Sequence, residues 1–232
     1  MTTRSVAIVT AVYGNAPTLP ELFERLATAL GGRSYRWRLR FVVDASPDDS
    51  LAVAHRLAQA DDRIGVTALS QNVGQNRALT RGLAAEEDAT AWVCVDADLQ
   101  DPPEVVPMLL DHLAADGVGA VFGGRRGSYE SMGRRLTGTA HRLVVNRAAG
   151  VPRDAGAFVA MGPEARAAVL RLDGPSLVAA IGLSGVRSVS VPVERSRRPE
   201  GRSAWTSSAR LQQSARTVAW VARHRACAGS HR

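Results

Sequence analysis

The chain has 232 residues, 45% of them hydrophobic, and we expect one domain over residues 1–225 followed by a disordered tail at 226–232. Its net charge of +7 suggests a nucleic-acid binder, but zinc-ligand spacings, aromatic-rich sheet signatures and dense basic blocks are missing, so we expect no nucleic-acid partner. No apolar run reaches the ~20 residues needed to cross a bilayer, and two cysteines do not indicate a disulfide framework.

The N-terminal half alternates short apolar runs with amphipathic stretches. This pattern predicts an α/β fold with a mostly parallel central sheet flanked by helices. Strands are predicted near residues 5–12, 38–44, 63–69 and 91–96, with a further short strand within 117–126.

Helix start signals lie between these strands. Thr18 is the expected N-cap of the first helix, which has an apolar leucine stripe. Ser46 is the expected N-cap of the second, with Pro47 in the first helical position. Further helices are predicted at 75–87, 103–115, 131–149 and 205–225. We expect the last helix to pack on its own domain or on a partner rather than to lie on a membrane.

A cluster of carboxylates follows the fourth predicted strand. Asp96 and Asp98 are two residues apart, which in an extended segment places both side chains on one face. Two carboxylates can bind one Mg²⁺ or Mn²⁺ and leave its other positions to water and phosphate. The pattern therefore predicts a diphosphate-binding metal site. The alternative is a solvated Asp-rich turn before a helix that opens at Pro102 and Pro103.

Other polar residues follow the first three strands. Tyr13, Asp44 and Asn72 each come just after a predicted strand. Ligands of open α/β sheets bind beyond the carboxyl ends of the strands, so we expect these residues near the carboxylates. The alternative for Asp44 is a turn-forming role.

Five ordered motifs carry a family resemblance. The run D-A-D-L-Q-D-P-P-E at 96–104 resembles the D-A-D-L-Q-x-P-P-E run of family 2 glycosyltransferases of the dolichol-phosphate mannose synthase type. Within that family the chain looks closest to the enzymes that glycosylate undecaprenyl phosphate. The other motifs lie at 9–22, 43–50, 72–79 and 198–203.

Two positions depart from the family pattern. Ala11 stands where the family usually has proline, and Val43 replaces the first of two adjacent acids. The choice among uridine, guanosine and thymidine nucleotides therefore stays open.

The resemblance implies the GT-A fold and an inverting, Mg²⁺- or Mn²⁺-dependent transfer from a nucleotide-diphospho-sugar. It implies metal ligation by Asp96, Asp98 and Gln100. It implies that the nucleotide sugar contacts Tyr13, Asp44, Asn72, Arg77, Asp96, Ala97, Arg125, Arg202 and Ser203. It implies catalytic roles for Asp154 and Arg198. The alternative for the Arg198 loop is a solvated, basic hairpin tip.

The acceptor and the location remain open at this stage. Resemblance favours a polyprenyl phosphate, whereas the missing membrane anchor favours a hydroxyl of a small molecule such as a secondary metabolite or carbohydrate. Asp154 would act as a base for a hydroxyl, but a phosphate is already anionic and would need only positioning. A non-catalytic nucleotide-sugar-binding protein is a more remote alternative. We expect a cytoplasmic protein, either free or peripheral at the inner face of the membrane, of undetermined oligomeric state.

Overall fold

A computed structural model describes residues 4–115, 117–126, 146–195 and 215–225. Within these ranges, seven strands form one sheet. In chain order they are β1 (Arg4–Val12), β2 (Tyr35–Asp44), β3 (Ile64–Leu69), β4 (Ala91–Cys94), β5 (Ala120–Arg126), β6 (Val159–Met161) and β7 (Ser188–Glu194). The order across the sheet is β3-β2-β1-β4-β6-β5-β7.

Most strands of the sheet run in the same direction, so their carboxyl ends lie at the same edge. β1 runs parallel to β2 and β4, β2 runs parallel to β3, and β5 runs parallel to β7. β6 alone runs antiparallel, to both β4 and β5. The carboxyl ends of the other six strands therefore lie at one edge of the sheet, named here the carboxyl edge. The predicted α/β fold with a mostly parallel sheet is confirmed.

Helices cover both faces of the sheet. In chain order they are α1 (Leu19–Leu30), α2 (Ser50–Ala60), α3 (Gln75–Ala85), α4 (Val106–Leu113), α5 (Pro163–Leu172) and α6 (Leu177–Leu183). Short 3-10 turns at Ala16–Thr18 and Pro103–Val105 lead into α1 and α4, and residues 146–149 and 215–225 are also helical.

The sheet has one apolar core on each face, and each core packs against its own layer of helices. Alternate residues of a strand point to opposite faces, so Ile8 of β1 packs with α1, α2 and α4 while Val9 packs with α3, α5 and α6. The leucine stripe of α1 is fully buried at Leu22 and Leu26, as its 3.6-residue period predicts. Buried apolar area of this kind is the main stabilising contribution to the fold.

The starts of the first two helices differ from the sequence prediction. α1 begins where predicted, but Thr18 makes no capping hydrogen bond. Its hydroxyl instead points to the carbonyl oxygens of Ala97, at 2.6 Å, and Asn15, at 3.0 Å, which share its single proton. The prediction for the second helix was wrong, since α2 begins at Ser50 and not at Pro47. Ser46 does not cap a helix, and its hydroxyl oxygen instead accepts the backbone N–H of Gly14 in the loop after β1.

The helix at 215–225 packs on its own domain, as expected. Val221 is buried in the second core, and the Trp220 ring lies so close to Gly174 that a Cβ there would collide with it. No helix in the described ranges is both long and apolar enough to span a membrane. Cys94 is a buried free thiol, and burial raises its pKa above the ordinary value, so the thiol is unreactive. Residues 226–232 lie outside the described ranges.

Candidate functional site at the carboxyl edge of the sheet

Six of the residues singled out from the sequence lie at the carboxyl edge. β1 and β4 are neighbours there, and the chain leaves them towards opposite halves of the sheet, which is the switch point where α/β sheets bind ligands. The six are Tyr13 after β1, Asp44 at the end of β2, Asn72 after β3, Asp96 after β4, Arg125 in β5 and Asp154 before β6. The fold therefore brings together residues that the sequence separates by more than a hundred positions.

The carboxylates after β4 form what we call the acidic turn, residues 96–101. The predicted strand to residue 96 is too long, because β4 ends at Cys94 and the next residues turn. Asp98 causes the turn, since its Oδ1 accepts the backbone N–H of Gln100 at 3.1 Å. The prediction of a continuous extended segment through Asp96 and Asp98 is therefore wrong, because residues 97–98 form a turn.

Several elements hold the acidic turn in place. The Thr18 hydroxyl donates to the carbonyl of Ala97 at 2.6 Å, which ties the turn to the start of α1. The Gln75 side-chain amide, in the first turn of α3, donates to Asp96 Oδ1 at 2.5 Å. These bonds fix the turn between the two helical layers.

Arg195, directly after β7, connects the acidic turn to the far side of the sheet. Its Nε donates to Asp101 Oδ1 at 2.6 Å and one terminal nitrogen donates to Asp101 Oδ2 at 3.1 Å. The same nitrogen reaches Asp96 Oδ2 at 3.4 Å. Burial alone would lower the pKa of Arg195, but the charges and hydrogen bonds of Asp101, followed by the charges of Asp96 and Asp98, raise it. The guanidinium is thus a cation that contacts the carboxylates of Asp101 and Asp96 and is also within the electrostatic reach of Asp98.

Asp44 organises the loop after β3. Its carboxylate is buried and accepts the backbone N–H groups of Val73 at 2.7 Å and Gly74 at 2.9 Å. The Asn72 side-chain amide donates to the Asp44 carbonyl at 3.3 Å. Each carboxylate oxygen has a second lone pair, so Asp44 retains acceptor capacity for a ligand. Its contact with a nucleoside stays a prediction.

A set of side chains that we call the loop clamp joins the loops after β1 and β2. Ser46 Oγ accepts from the Gly14 N–H at 2.8 Å, Ser50 Oγ from Asn15 at 3.1 Å, and Asp48 Oδ2 from Ala16 at 3.0 Å. Three successive backbone amides are thereby satisfied by side chains of the segment from Ser46 to Ser50, which ends in the first residue of α2. The clamp fixes the loop that presents the exposed Tyr13 side chain.

The pKa of Asp48 reflects its place in the loop clamp. Partial burial would raise the pKa, but hydrogen bonds from Ser46, Ser50 and the Ala16 amide outweigh it and lower the value from 3.8 to about 2. The carboxylate is therefore ionised at any pH near neutral, as an acceptor of several N–H and O–H groups must be.

Asp154 lies against β5. A Cβ on Gly124 would collide with both the Asp154 carboxylate and the Ser190 hydroxyl oxygen, so this glycine makes room for them. Within the described part of the chain, Ser190 Oγ is buried without a hydrogen-bond partner. A buried hydroxyl and a half-buried carboxylate therefore flank one glycine at the carboxyl edge.

The structure leaves some predicted site residues untested. Arg77 is exposed in the first turn of α3. Arg198, Arg202 and Ser203 lie outside the described residues, and Arg125 is described only as part of β5. Their assigned roles stay predictions.

The donor set suits a hard divalent cation. Asp96 and Asp98 supply carboxylate oxygens, both within electrostatic reach of Arg195, and Mg²⁺ typically takes one or two carboxylates together with phosphate and water. Within the described ranges, no group of three or more His, Cys, Asp or Glu side chains forms a candidate metal cage. The residues therefore fit a site that is completed by the ligand.

Sequence reasoning missed two contributors to this site. Asp101 belongs to the acidic run and Arg195 to an arginine-rich stretch, so each was visible, but nothing local pairs residues 94 positions apart. The signal that could have found the pair is topological, because β7 and β4 end at the same edge.

Comparison with known proteins agrees with this geometry. The family model described as glycosyl transferase family 2 matches residues 7–160. A curated relative, undecaprenyl-phosphate 4-deoxy-4-formamido-L-arabinose transferase of Pseudomonas syringae pv. syringae (strain B728a), is 35% identical over 147 residues, which are 63% of this chain and 43% of the relative. The chain thus spans less than half the length of the curated relatives it matches first.

Solved structures show the same fold at low sequence identity. Glucosyl-3-phosphoglycerate synthase from Mycobacterium tuberculosis, in complex with Mn²⁺, UDP-glucose and glycerol 3-phosphate, is 18% identical with a TM-score of 0.63, covering 95% of this chain and 80% of that one. A mannosyltransferase from Pyrobaculum calidifontis, in complex with GDP-Man and Mn²⁺, is 19% identical with a TM-score of 0.59, covering 87% and 59%. With the family model matching well over half of its residues, this chain belongs to glycosyl transferase family 2.

Proposed function

We propose that this chain transfers a sugar from a nucleotide-diphospho-sugar to an acceptor, with inversion and with Mg²⁺ or Mn²⁺. The observation that carries the proposal is the convergence of Asp44, the acidic turn and Asp154 at one sheet edge in a family 2 chain. Neighbours of the same fold contain Mn²⁺ with UDP-glucose or GDP-Man, which supports the donor class and the metal.

The donor would lie across the switch point between β1 and β4. Asp44, Asn72 and Arg77 would contact the nucleoside from one half of the sheet, with Tyr13 near the base. Asp96 and Asp98 would hold the cation, with Gln100 beside them. The Ala97 side chain is buried in the apolar core, so a contact of Ala97 with the nucleotide sugar would be through its backbone. Arg125, Arg202 and Ser203 complete the proposed donor contacts.

The chemistry is a single displacement at the anomeric carbon. The acceptor oxygen attacks from the side opposite the diphosphate, the bond from the anomeric carbon to the phosphate oxygen breaks, and its electron pair leaves with the nucleoside diphosphate. The bound cation supplies neutralisation of negative charge on that leaving group. Arg198 would contribute a second positive charge there.

The proposed acceptor is a polyprenyl phosphate. The curated relatives are named as undecaprenyl-phosphate transferases, and the match to them covers most of the chain. A phosphate oxygen is anionic near neutral pH, so it needs positioning more than a base. Asp154 would then orient the acceptor or the sugar. Such an acceptor places the proposed single domain, residues 1–225, at the inner face of the membrane.

A hydroxyl acceptor is the second candidate. The observation that favours it is the Asp154 carboxylate beside Gly124 and Ser190, because a hydroxyl nucleophile requires a base within hydrogen-bond reach. Asp154→Asn separates the candidates. Turnover with a hydroxyl acceptor would fall about 100-fold or more, whereas a phosphate acceptor would tolerate the change far better.

Donor binding tests the proposal directly. We expect one of UDP-, GDP- or dTDP-sugar to raise the melting temperature only with Mn²⁺, since a ligand at 100 times its Kd stabilises by about 2.7 kcal/mol. Asp98→Asn should abolish this shift and lower turnover with undecaprenyl phosphate by about 100-fold. NMR of the product reports the anomeric configuration.

Asp111→Asn is the matched control. Asp111 is an acid on α4 that pairs with Arg33 on the surface, and its loss should leave donor binding unchanged. If no nucleotide sugar bound with or without Mn²⁺, the proposal would be wrong.

A further inference from the structure

Arg195 is bound unequally by two carboxylates. Asp101 binds the guanidinium through two hydrogen bonds, of 2.6 and 3.1 Å, and Asp96 has one long contact of 3.4 Å. Asp101 is 1% exposed and the Arg195 side chain 15%, so the pair is shielded from water. Interactions between charges are strong in such a shielded environment, because the local dielectric constant is low.

We propose that Asp101 sets the divalent-cation affinity of the site by holding the Arg195 guanidinium back from Asp96. A guanidinium on Asp96 and a metal ion on Asp96 compete for the same oxygens, and their like charges repel. The bidentate geometry of an arginine–carboxylate pair directs Arg195 to Asp101. Asp101 and Arg195 are thus positioning residues for Asp96, and this inference rests on the metal site of the proposed function.

This role predicts affinity changes of opposite sign. Asp101→Asn removes the charge that retains Arg195, so the guanidinium should move towards Asp96 and weaken Mn²⁺ binding roughly fivefold. Arg195→Gln removes the competing cation while its amide still donates to Asp101, so Mn²⁺ should bind roughly fivefold more tightly. A purely structural role predicts weaker binding for both variants, because either change would loosen the acidic turn.

The double variant Arg195→Met with Asp101→Asn removes both charges of the buried pair. It leaves no unpaired buried charge and should also bind Mn²⁺ more tightly than the unmodified chain. The matched control is Arg40→Met with Glu86→Gln, which removes another buried pair, whose side chains are 17% and 10% exposed. This control should leave Mn²⁺ affinity unchanged.

The measurement is titration with Mn²⁺, first alone and then with UDP, GDP or dTDP present, with the free ion followed by electron paramagnetic resonance and the fold checked by circular dichroism. Tighter binding by Arg195→Gln supports the inference, and this single variant decides it if the double variant does not fold. Unchanged or weaker binding by Arg195→Gln overturns it and leaves the proposed function intact. If the unmodified chain binds no Mn²⁺ even with nucleotide, the proposed metal site fails and the inference fails with it.

Discussion

Two buried arginines of this protein use their guanidinium groups in different ways. Arg40 on β2 pairs with one carboxylate, Glu86 after α3, at 2.6 Å, and its remaining contact is to the carbonyl of Val66. Arg195 at the carboxyl edge meets the carboxylates of Asp101 and Asp96. The arginines are almost equally buried, with 17% and 15% of their side chains exposed, so burial does not distinguish them.

The surroundings of the two pairs explain the difference. Arg40 packs so tightly against Gly65 that a Cβ there would meet the guanidinium, and the Glu86 carbonyl accepts from the Trp92 indole. Packing against Gly65 and hydrogen bonds to Val66 and Trp92 hold that pair in place. Arg195 instead stands where several strands end and loops carry the polar groups. Arg195 therefore links β7 to the proposed metal-binding residues, whereas Arg40 links β2 to the end of α3 away from the site.

Breaking the buried pair of Arg40 and Glu86 should have the largest effect, and that effect should be on stability. Glu86→Gln leaves the Arg40 charge buried without a counter-charge, and we expect the free energy of unfolding to fall by roughly 3 kcal/mol. Urea denaturation measures this loss. Nucleotide-sugar binding by the folded fraction should be unchanged, because the pair lies away from the carboxyl edge. Weaker donor binding with unchanged stability would contradict the proposed division of roles.

Two adjacent glycines of β5 allow the effect of a substitution at the candidate site to be compared with that of a substitution in the apolar core. A Cβ on Gly124 would collide with the Asp154 carboxylate, so Gly124→Ala should displace Asp154 and lower turnover about tenfold. A Cβ on Gly123 would collide with the Phe158 ring, so Gly123→Ala should cost about 1–3 kcal/mol of stability.

Steady-state kinetics at matched folded concentration separates these two effects. Gly123→Ala is the control for strand strain, and its turnover per folded molecule should equal that of the unmodified chain. Equal turnover loss in both variants would show that strain in β5, and not the position of Asp154, controls the rate.

Local sequence signals located the first five strands and the polar residues that follow the first four, but not β6 or β7. Short apolar runs located β1 to β4, and the expected parallel pairing placed Tyr13, Asp44 and Asn72 together without any contact being known. One error arose where a polar side chain could either cap a helix or bind the backbone of another loop. Ser46 precedes a proline and suits a helix cap, but its hydroxyl accepts from Gly14 of another loop.

Contacts between distant segments could not be read from the chain. Arg195 and Asp101 meet only because β7 and β4 end at the same edge. Propensity and periodicity act over a few residues, whereas these pairings depend on the order of strands across the whole sheet.

The smallest effect on stability is expected at the loop clamp, where the exposed carboxylate of Asp48 accepts the backbone N–H of Ala16. The pKa of Asp48 falls from 3.8 to about 2 on folding, so the folded state favours the ionised form. A lowered pKa contributes stability that is fully present above about pH 4 and lost as pH falls towards 2. The stability difference between the unmodified chain and Asp48→Asn should therefore shrink over that interval.

Urea midpoints between pH 6 and pH 2 measure this difference. Asp49→Asn is the neighbouring control, because Asp49 stands at the start of α2 without a side-chain capping bond, and its effect should be smaller at every pH. The change should remain below that of Glu86→Gln, since water screens the exposed Asp48. A difference that stayed constant down to pH 2 would mean that the Asp48 charge does not hold the loop, leaving Ser46 and Ser50 as the groups that fix the position of Tyr13.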